Sequence, residues 1–86
     1  MNLTFAPQAW EDSTFWQATE PKMVKRINEL LKDIIRSPHS GIGKPEPLKH
    51  AFRGYGSRRI DSEHRLVYRT IKDSILIAQL RFHDDE

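Results

Sequence analysis

Glu46 stands between Pro45 and Pro47 in the run GKPEPLKH, and Lys49 and His50 follow at once. Each proline fixes φ and removes a backbone donor, so the run is excluded from a helix interior and from a central strand. A stiff loop that presents a carboxylate beside cations is either a spacer or a mount for a reactive group. Further along, Arg59, Arg65, Arg81 and His83 recur in segments that alternate with apolar residues. If they share a surface with Glu46, the set suits metal-free cleavage of RNA. A carboxylate takes the proton of a ribose 2′-OH, and an imidazolium gives one to the departing 5′-oxygen. Guanidinium groups stabilise the charge that gathers on the phosphoryl group. The expected product carries a 2′,3′-cyclic phosphate, and DNA, which lacks the 2′-OH, should resist.

Each residue also has a plainer reading. Glu46 beside Lys44 and Lys49 fits a surface ion pair worth about 0–1 kcal/mol. His83, taken alone, fits a tail residue. His64 alternates with Leu66 and Tyr68 and reads as structural, while His39 has no partner at ligand spacing. The histidines form no closely spaced pair and no acid cluster flanks them, which argues against zinc. No glycine-rich phosphate loop occurs, and Ser57 lacks an adjacent base. No cofactor is expected. Arg58 shares the Ile60 face by strict alternation, so it either snorkels at an edge or marks a bulge.

Three strands are expected to mount this chemistry, at Ser57–Asp61, His64–Thr70 and Ser74–His83, with a further short strand near His50–Arg53. Their tight connections imply antiparallel neighbours. Alternation places Leu66, Tyr68 and Ile60 inward and sends Arg59, Arg65, Val67 and Arg69 outward. In the last strand it assigns Leu76, Ala78, Leu80 and Phe82 to the core face, and Ile75, Ile77, Gln79, Arg81 and His83 to the other. Ahead of the sheet, Asn2–Phe5 opens with a short strand. A helix is expected over about 7–18, and because Trp10, Phe15 and Trp16 cannot share one face, burial on more than one side. Thr19, Glu20 and Pro21 signal a second start. Val24, Ile27, Leu31 and Ile34 then lay an apolar stripe on an amphipathic helix that Pro38 ends. The order is β-α-α followed by an antiparallel meander, an α+β fold with both helices on one face of the sheet.

The 86 residues make one domain, 1–86. So short a chain buries only about 60–65% of its unfolded surface, so a second copy or a tight partner would help. The absence of cysteine excludes disulfides and thiolate metal sites. No signal-peptide pattern and no apolar run of about 20 residues occurs, so the expectation is a cytoplasmic protein with no membrane contact. The net charge of +2 is uneven. Residues 44–70 hold seven Lys/Arg against three Asp/Glu, whereas residues 71–86 hold two against four. Arginine-rich positive charge suits phosphate, although a solvated basic face is the plainer reading of any one arginine.

The runs KPEPLKH, SRRI, EHRLVY and a final Arg-aromatic-His resemble the YoeB family of bacterial toxins, among the RelE-like mRNA interferases. W-Q-x-T at 16–19 and KRINELLKD at 25–33 extend the likeness over nearly the whole chain. The resemblance implies a curved antiparallel sheet with two helices on one side, and ribosome-dependent cleavage of mRNA in the A site. It implies a type II toxin silenced by a YefM-like antitoxin that wraps the active face, and homodimers. Operator DNA would be met only through the antitoxin complex. On the same footing, Glu46 is the general base, Arg65 the phosphate-stabilising arginine and His83 the general acid. Lys49, His50, Arg59 and Arg81 hold substrate or tune the site. One departure stands out: the family usually ends in His followed by Tyr, and here Asp84, Asp85 and Glu86 follow His83. The acids favour an imidazolium but remove an aromatic that stacks on a base. That departure is the best support for a rival reading, a non-catalytic RNA- or partner-binding module of the same fold.

Overall fold

The computed structural model describes residues 1–81. The elements run β1 (Asn2–Phe5), α1 (Pro7–Thr19), α2 (Pro21–Arg36), β2 (Glu46–Pro47), a 3-10 turn (His50–Phe52), β3 (Gly56–Arg59), β4 (Arg65–Ile71) and β5 (Ser74–Gln79). One five-stranded sheet has the order β1-β5-β4-β3-β2. The meander is antiparallel as expected, but β1 adds to β5 in parallel, so the sheet is mixed. None of the described helices is long and apolar enough to cross a membrane.

Both helices open on proline, at Pro7 and Pro21, where the missing N–H is lost to no bond. Glu20 closes one helix and precedes the other, so the pair turns sharply. The outer side of α1 stays in solvent: Trp10 is 57% exposed, while Ala9, Asp12 and Trp16 alone are buried. The expected many-sided burial of this helix is therefore corrected to one narrow stripe. In α2, Met23, Ile27, Leu30, Leu31 and Ile34 face the sheet. They meet Ile60, Leu66, Tyr68, Ile75, Ile77 and Leu80 in one core.

The face assignment of the last strand is also corrected. Ile75 and Ile77 are buried with the helices, and Leu76 and Ala78 are not. The cause is a register shift between Val67 and Tyr68: Tyr68 pairs with Ile77 but Val67 pairs with Gln79, leaving Ala78 as the extra residue. An inserted residue flips the alternation, so Ile77 and Leu80 both point inward. The short strand expected near His50–Arg53 is instead the 3-10 turn, and the strand pairing to β3 is Glu46–Pro47.

Arg58 neither snorkels nor marks a bulge; it is fully buried, at 0% exposure. Its Nη1 donates to Asp33 Oδ2 at 2.7 Å and to the Ile42 carbonyl at 3.0 Å. Its Nη2 donates to the carbonyls of Ser37 at 2.8 Å and Ser40 at 3.1 Å. Tyr68 donates its hydroxyl to the Pro38 carbonyl, and Asp33 also accepts from Arg36 and from Ile42 N–H. One buried guanidinium thus satisfies the carbonyls of the loop that leads to Glu46. Gly41 permits this, since a Cβ there would lie 2.0 Å from Asp33 Oδ2 and its φ is +128°.

The network makes stability depend on acid. Arg58 first, then Arg36 and the Ile42 N–H, hold the Asp33 carboxyl at about 2, against an ordinary 3.8. A carboxyl lowered on folding stabilises the folded state above its unfolded value, and that contribution is lost as pH falls through the folded one. The melting temperature should therefore fall between about pH 4 and pH 2, and Asp33→Asn should flatten the fall. An unchanged acid limb in Asp33→Asn would show that other carboxylates set it.

Candidate active site on the open sheet face

β2 is a two-residue edge strand, the position where proline costs no ladder bond. Glu46 pairs with Ser57, Ser57 with Val67, and Val67 with Gln79, so a row crosses four strands. In the neighbouring row Arg59 pairs with Arg65. Paired residues share a face, and this one lies opposite the helices. The stiff proline run therefore does aim a carboxylate at the arginine-bearing side.

Two of the expected catalytic residues meet there. Arg65 Nη1 donates to Glu46 Oε1 at 2.5 Å and to Ser57 Oγ at 2.8 Å. The Glu46 side chain is 52% exposed and that of Arg65 36%. The plainer pairing of Glu46 with Lys44 or Lys49 does not occur among the described residues. A guanidinium carries five N–H groups, and Arg65 spends its Nη1 on Glu46 and Ser57. Its other three N–H groups have no partner among the described residues, so they remain available to phosphoryl oxygens.

The other candidates fall in different places. Arg59 is exposed beside Arg65, with its backbone held by Gly43 and Arg26. Lys49 and His50 sit on the exposed β2–β3 connection, where His50 takes a left-handed φ of 57°. Neither bonds to Glu46 among the described residues. Arg81 departs from its expected position. Its guanidinium carbon lies 3.7 Å from the Phe15 ring centre, against α1, so it is not gathered with Glu46 and Arg65. The chain has left the sheet after Gln79, and alternation no longer governs it. His83, with Phe82 and Asp84, lies outside the described residues.

Ser57 escaped the sequence reading because it was weighed only as a nucleophile. Its position two residues before Arg59 already put it on the arginine face. Asp33 and Asp12 were missed as well. Both lie on buried helical stripes, Asp33 beside Ile34 and Asp12 midway between Ala9 and Trp16. A carboxylate at such a position signals a buried partner. Beside Glu46 a groove of about 390 Å³ lies at the sheet edge, lined by His39, Pro45, Tyr55, Tyr68, Arg69 and Thr70, so it takes in core-face Tyr68 and the loop after α2 as well as the edge strand. Arg69 lies over the Tyr55 ring, its guanidinium carbon 5.6 Å from the ring centre.

Residues 5–84 match the model of the YoeB-like toxin of bacterial type II toxin–antitoxin systems. The chain is 53% identical to the toxin YoeB of Escherichia coli K12 over 83 residues, covering 96% of this chain and 99% of that one. A solved YoeB–YefM complex from Staphylococcus aureus is 54% identical, with a TM-score of 0.90 over 96% of this chain and 97% of that one. A YoeB dimer from the same organism matches equally well. The RelE-like α+β fold and the residue matches agree, and the chain belongs to the YoeB-like toxins of type II toxin–antitoxin systems.

Proposed function

We propose that the protein is a ribosome-dependent mRNA endonuclease that works by general acid and base without a metal. Glu46 removes the proton of the ribose 2′-OH, and O2′ attacks the adjacent phosphorus. The free N–H groups of Arg65 receive the charge that develops on the phosphoryl oxygens. As the P–O5′ bond breaks, His83 gives its proton to O5′, leaving a 2′,3′-cyclic phosphate and a 5′-hydroxyl. Arg59, Lys49 and His50 hold flanking phosphates. Arg81, packed on Phe15 of α1, is given no phosphate contact in this reading. The observation that carries this reading is the Glu46–Arg65 pair on an open face, with three guanidinium N–H groups that have no partner among the described residues.

The same pair supports dependence on the ribosome. In the free protein the base is held by the arginine meant for the phosphate. A substrate phosphate seated on Arg65 competes for that guanidinium and releases the carboxylate, provided the message is already bent so that O2′ lines up for attack. Alignment by the ribosome supplies that geometry. The S. aureus relatives support two partners, a YefM-like antitoxin and a second copy of the chain.

The test is cleavage of ribosome-bound message against the same RNA free in solution, with the ends mapped. Cyclic phosphate and 5′-hydroxyl ends, formed much faster on the ribosome, are expected. Equal rates on both substrates would overturn the activation account. Tight, salt-sensitive RNA binding without scission would favour the binding module instead.

A further inference from the structure

We propose that Tyr55 and Arg69 form a nucleotide subsite beside the Glu46–Arg65 pair, taking the base and phosphate of the message residue next to the cleaved step. This rests on the reading of the protein as an mRNA endonuclease. Counting back from Arg59 and Ser57, alternation puts Tyr55 on the open face. Counting on from Arg65 and Val67, it puts Arg69 there too. Contacts agree with that phase. Leu48 N–H donates to the Tyr55 carbonyl at 2.9 Å, which continues the β2–β3 pairing, and the Arg69 guanidinium carbon lies 5.6 Å from the Tyr55 ring centre. Tyr55 N–H donates to the Phe52 carbonyl at 2.9 Å, and the rings of Phe52 and Tyr55 stand perpendicular with centres 5.7 Å apart. The aromatic ring is therefore braced before any ligand arrives, which lowers the ordering cost of binding.

Both side chains line the groove of about 390 Å³ that also touches Glu46. Gly54 and Gly56, on either side of Tyr55, put no side chain into it. Its volume lies within the range of about 300–1,000 Å³ usual for small-ligand sites, so a nucleobase fits. Arg69 is exposed and has no carboxylate partner among the described residues. A guanidinium that rests on a ring keeps its edge N–H groups for phosphate oxygens. The ring beneath is covered only loosely, and an aromatic face next to a guanidinium is a stacking platform for any base. The spacing suits RNA. Two strand residues separate Tyr55 from Ser57, the partner of Glu46, a step of about 7 Å. One extended nucleotide spans a similar length, so a message with its 2′-OH at Glu46 brings a neighbouring base to Tyr55.

Single-turnover cleavage of ribosome-bound message by the full chain tests the subsite. Arg69→Ala and Tyr55→Leu should each raise the half-saturating concentration by about 5- to 100-fold. The rate at saturation should stay nearly unchanged, because neither residue touches the reacting atoms. Tyr55→Phe keeps the ring and should match wild type. An abasic nucleotide on one side of the cleaved step should cost wild type about as much as Tyr55→Leu does, and should cost Tyr55→Leu nothing further. Exposed Arg69→Ala serves even if Tyr55→Leu fails to fold. An unchanged half-saturating concentration in Arg69→Ala overturns the subsite while leaving the Glu46–Arg65 chemistry intact. So do abasic penalties on both sides that persist undiminished in Tyr55→Leu. Weaker binding of Arg69→Ala to a purified YefM-like antitoxin, with message affinity unchanged, assigns the groove to a protein partner and overturns the proposal as well. If wild type cleaves no ribosome-bound message, the endonuclease reading falls and the subsite with it.

Discussion

Glu46→Gln should reduce cleavage of ribosome-bound message by about 10²–10⁴-fold, the span typical of a positioned general base. The glutamine is nearly isosteric, and its amide oxygen can still accept from Arg65 Nη1, so the geometry at β2 is conserved. What disappears is the ability to take a proton. The side chain is half exposed at the sheet edge, so the melting temperature should stay within a degree or two. Cleavage kinetics and a thermal melt on the same preparation check both halves. A soluble, folded Glu46→Gln protein that cuts at the wild-type rate would remove the base from the mechanism. Arg65→Ala is a less clean probe, since it frees Glu46 and deprives Ser57 of its donor as well as stripping charge from the phosphoryl site.

The second large effect concerns stability. Arg58→Ala should destabilise the fold by about 3–5 kcal/mol, the cost of breaking a buried ion pair by removing one partner. Asp33 would lose its buried guanidinium, and the carbonyls of Ser37, Ser40 and Ile42 would lose their donor together. A small domain holds about 5–15 kcal/mol in total, so the variant should melt far below wild type or accumulate unfolded. Arg58→Lys should rescue little, because an ammonium cannot span carbonyls on two sides as a planar fork does. Denaturant unfolding of the two variants checks this. Equal stability of Arg58→Lys and wild type would show that charge alone suffices. In any Arg58 variant that stays folded, activity should fall with loop order, because residues 37–45 carry the mount of Glu46.

The sequence made the elements readable where pattern and chemistry coincided. The stripe on α2 and the prolines at 7, 21 and 38 located both helices. Strict alternation sorted β3 and β4 correctly, including Arg59 and Arg65. It failed on β5 because Ala78 is an extra residue, and nothing in SILIAQL distinguishes a bulge from regular pairing. Both faces there are apolar, so either phase looks plausible. Parallel addition of β1 was equally hidden, since a four-residue strand does not declare its neighbour or its direction. At the site, the rigid mounting of Glu46 followed from proline alone. Alternation put Arg65 on the same side, the family likeness supplied its role, and the bond between them required coordinates. Arg58 is anomalous by its phase, but nothing in the stripe of α2 singles out its partner Asp33. A buried pair from two distant elements leaves only two separate misfits in a linear reading.

The pairing of Asn2 with Ser74 has a consequence for how the molecule comes into being. It joins segments from opposite ends of the described chain, so this edge closes only after nearly everything else exists. Distant pairings pay their loop entropy before any reward arrives. Folding should accordingly be slower than for a chain of this length held by local contacts alone. On a chain made from its first residue onward, the core stays incomplete until Ile75 and Ile77 are available to fill it.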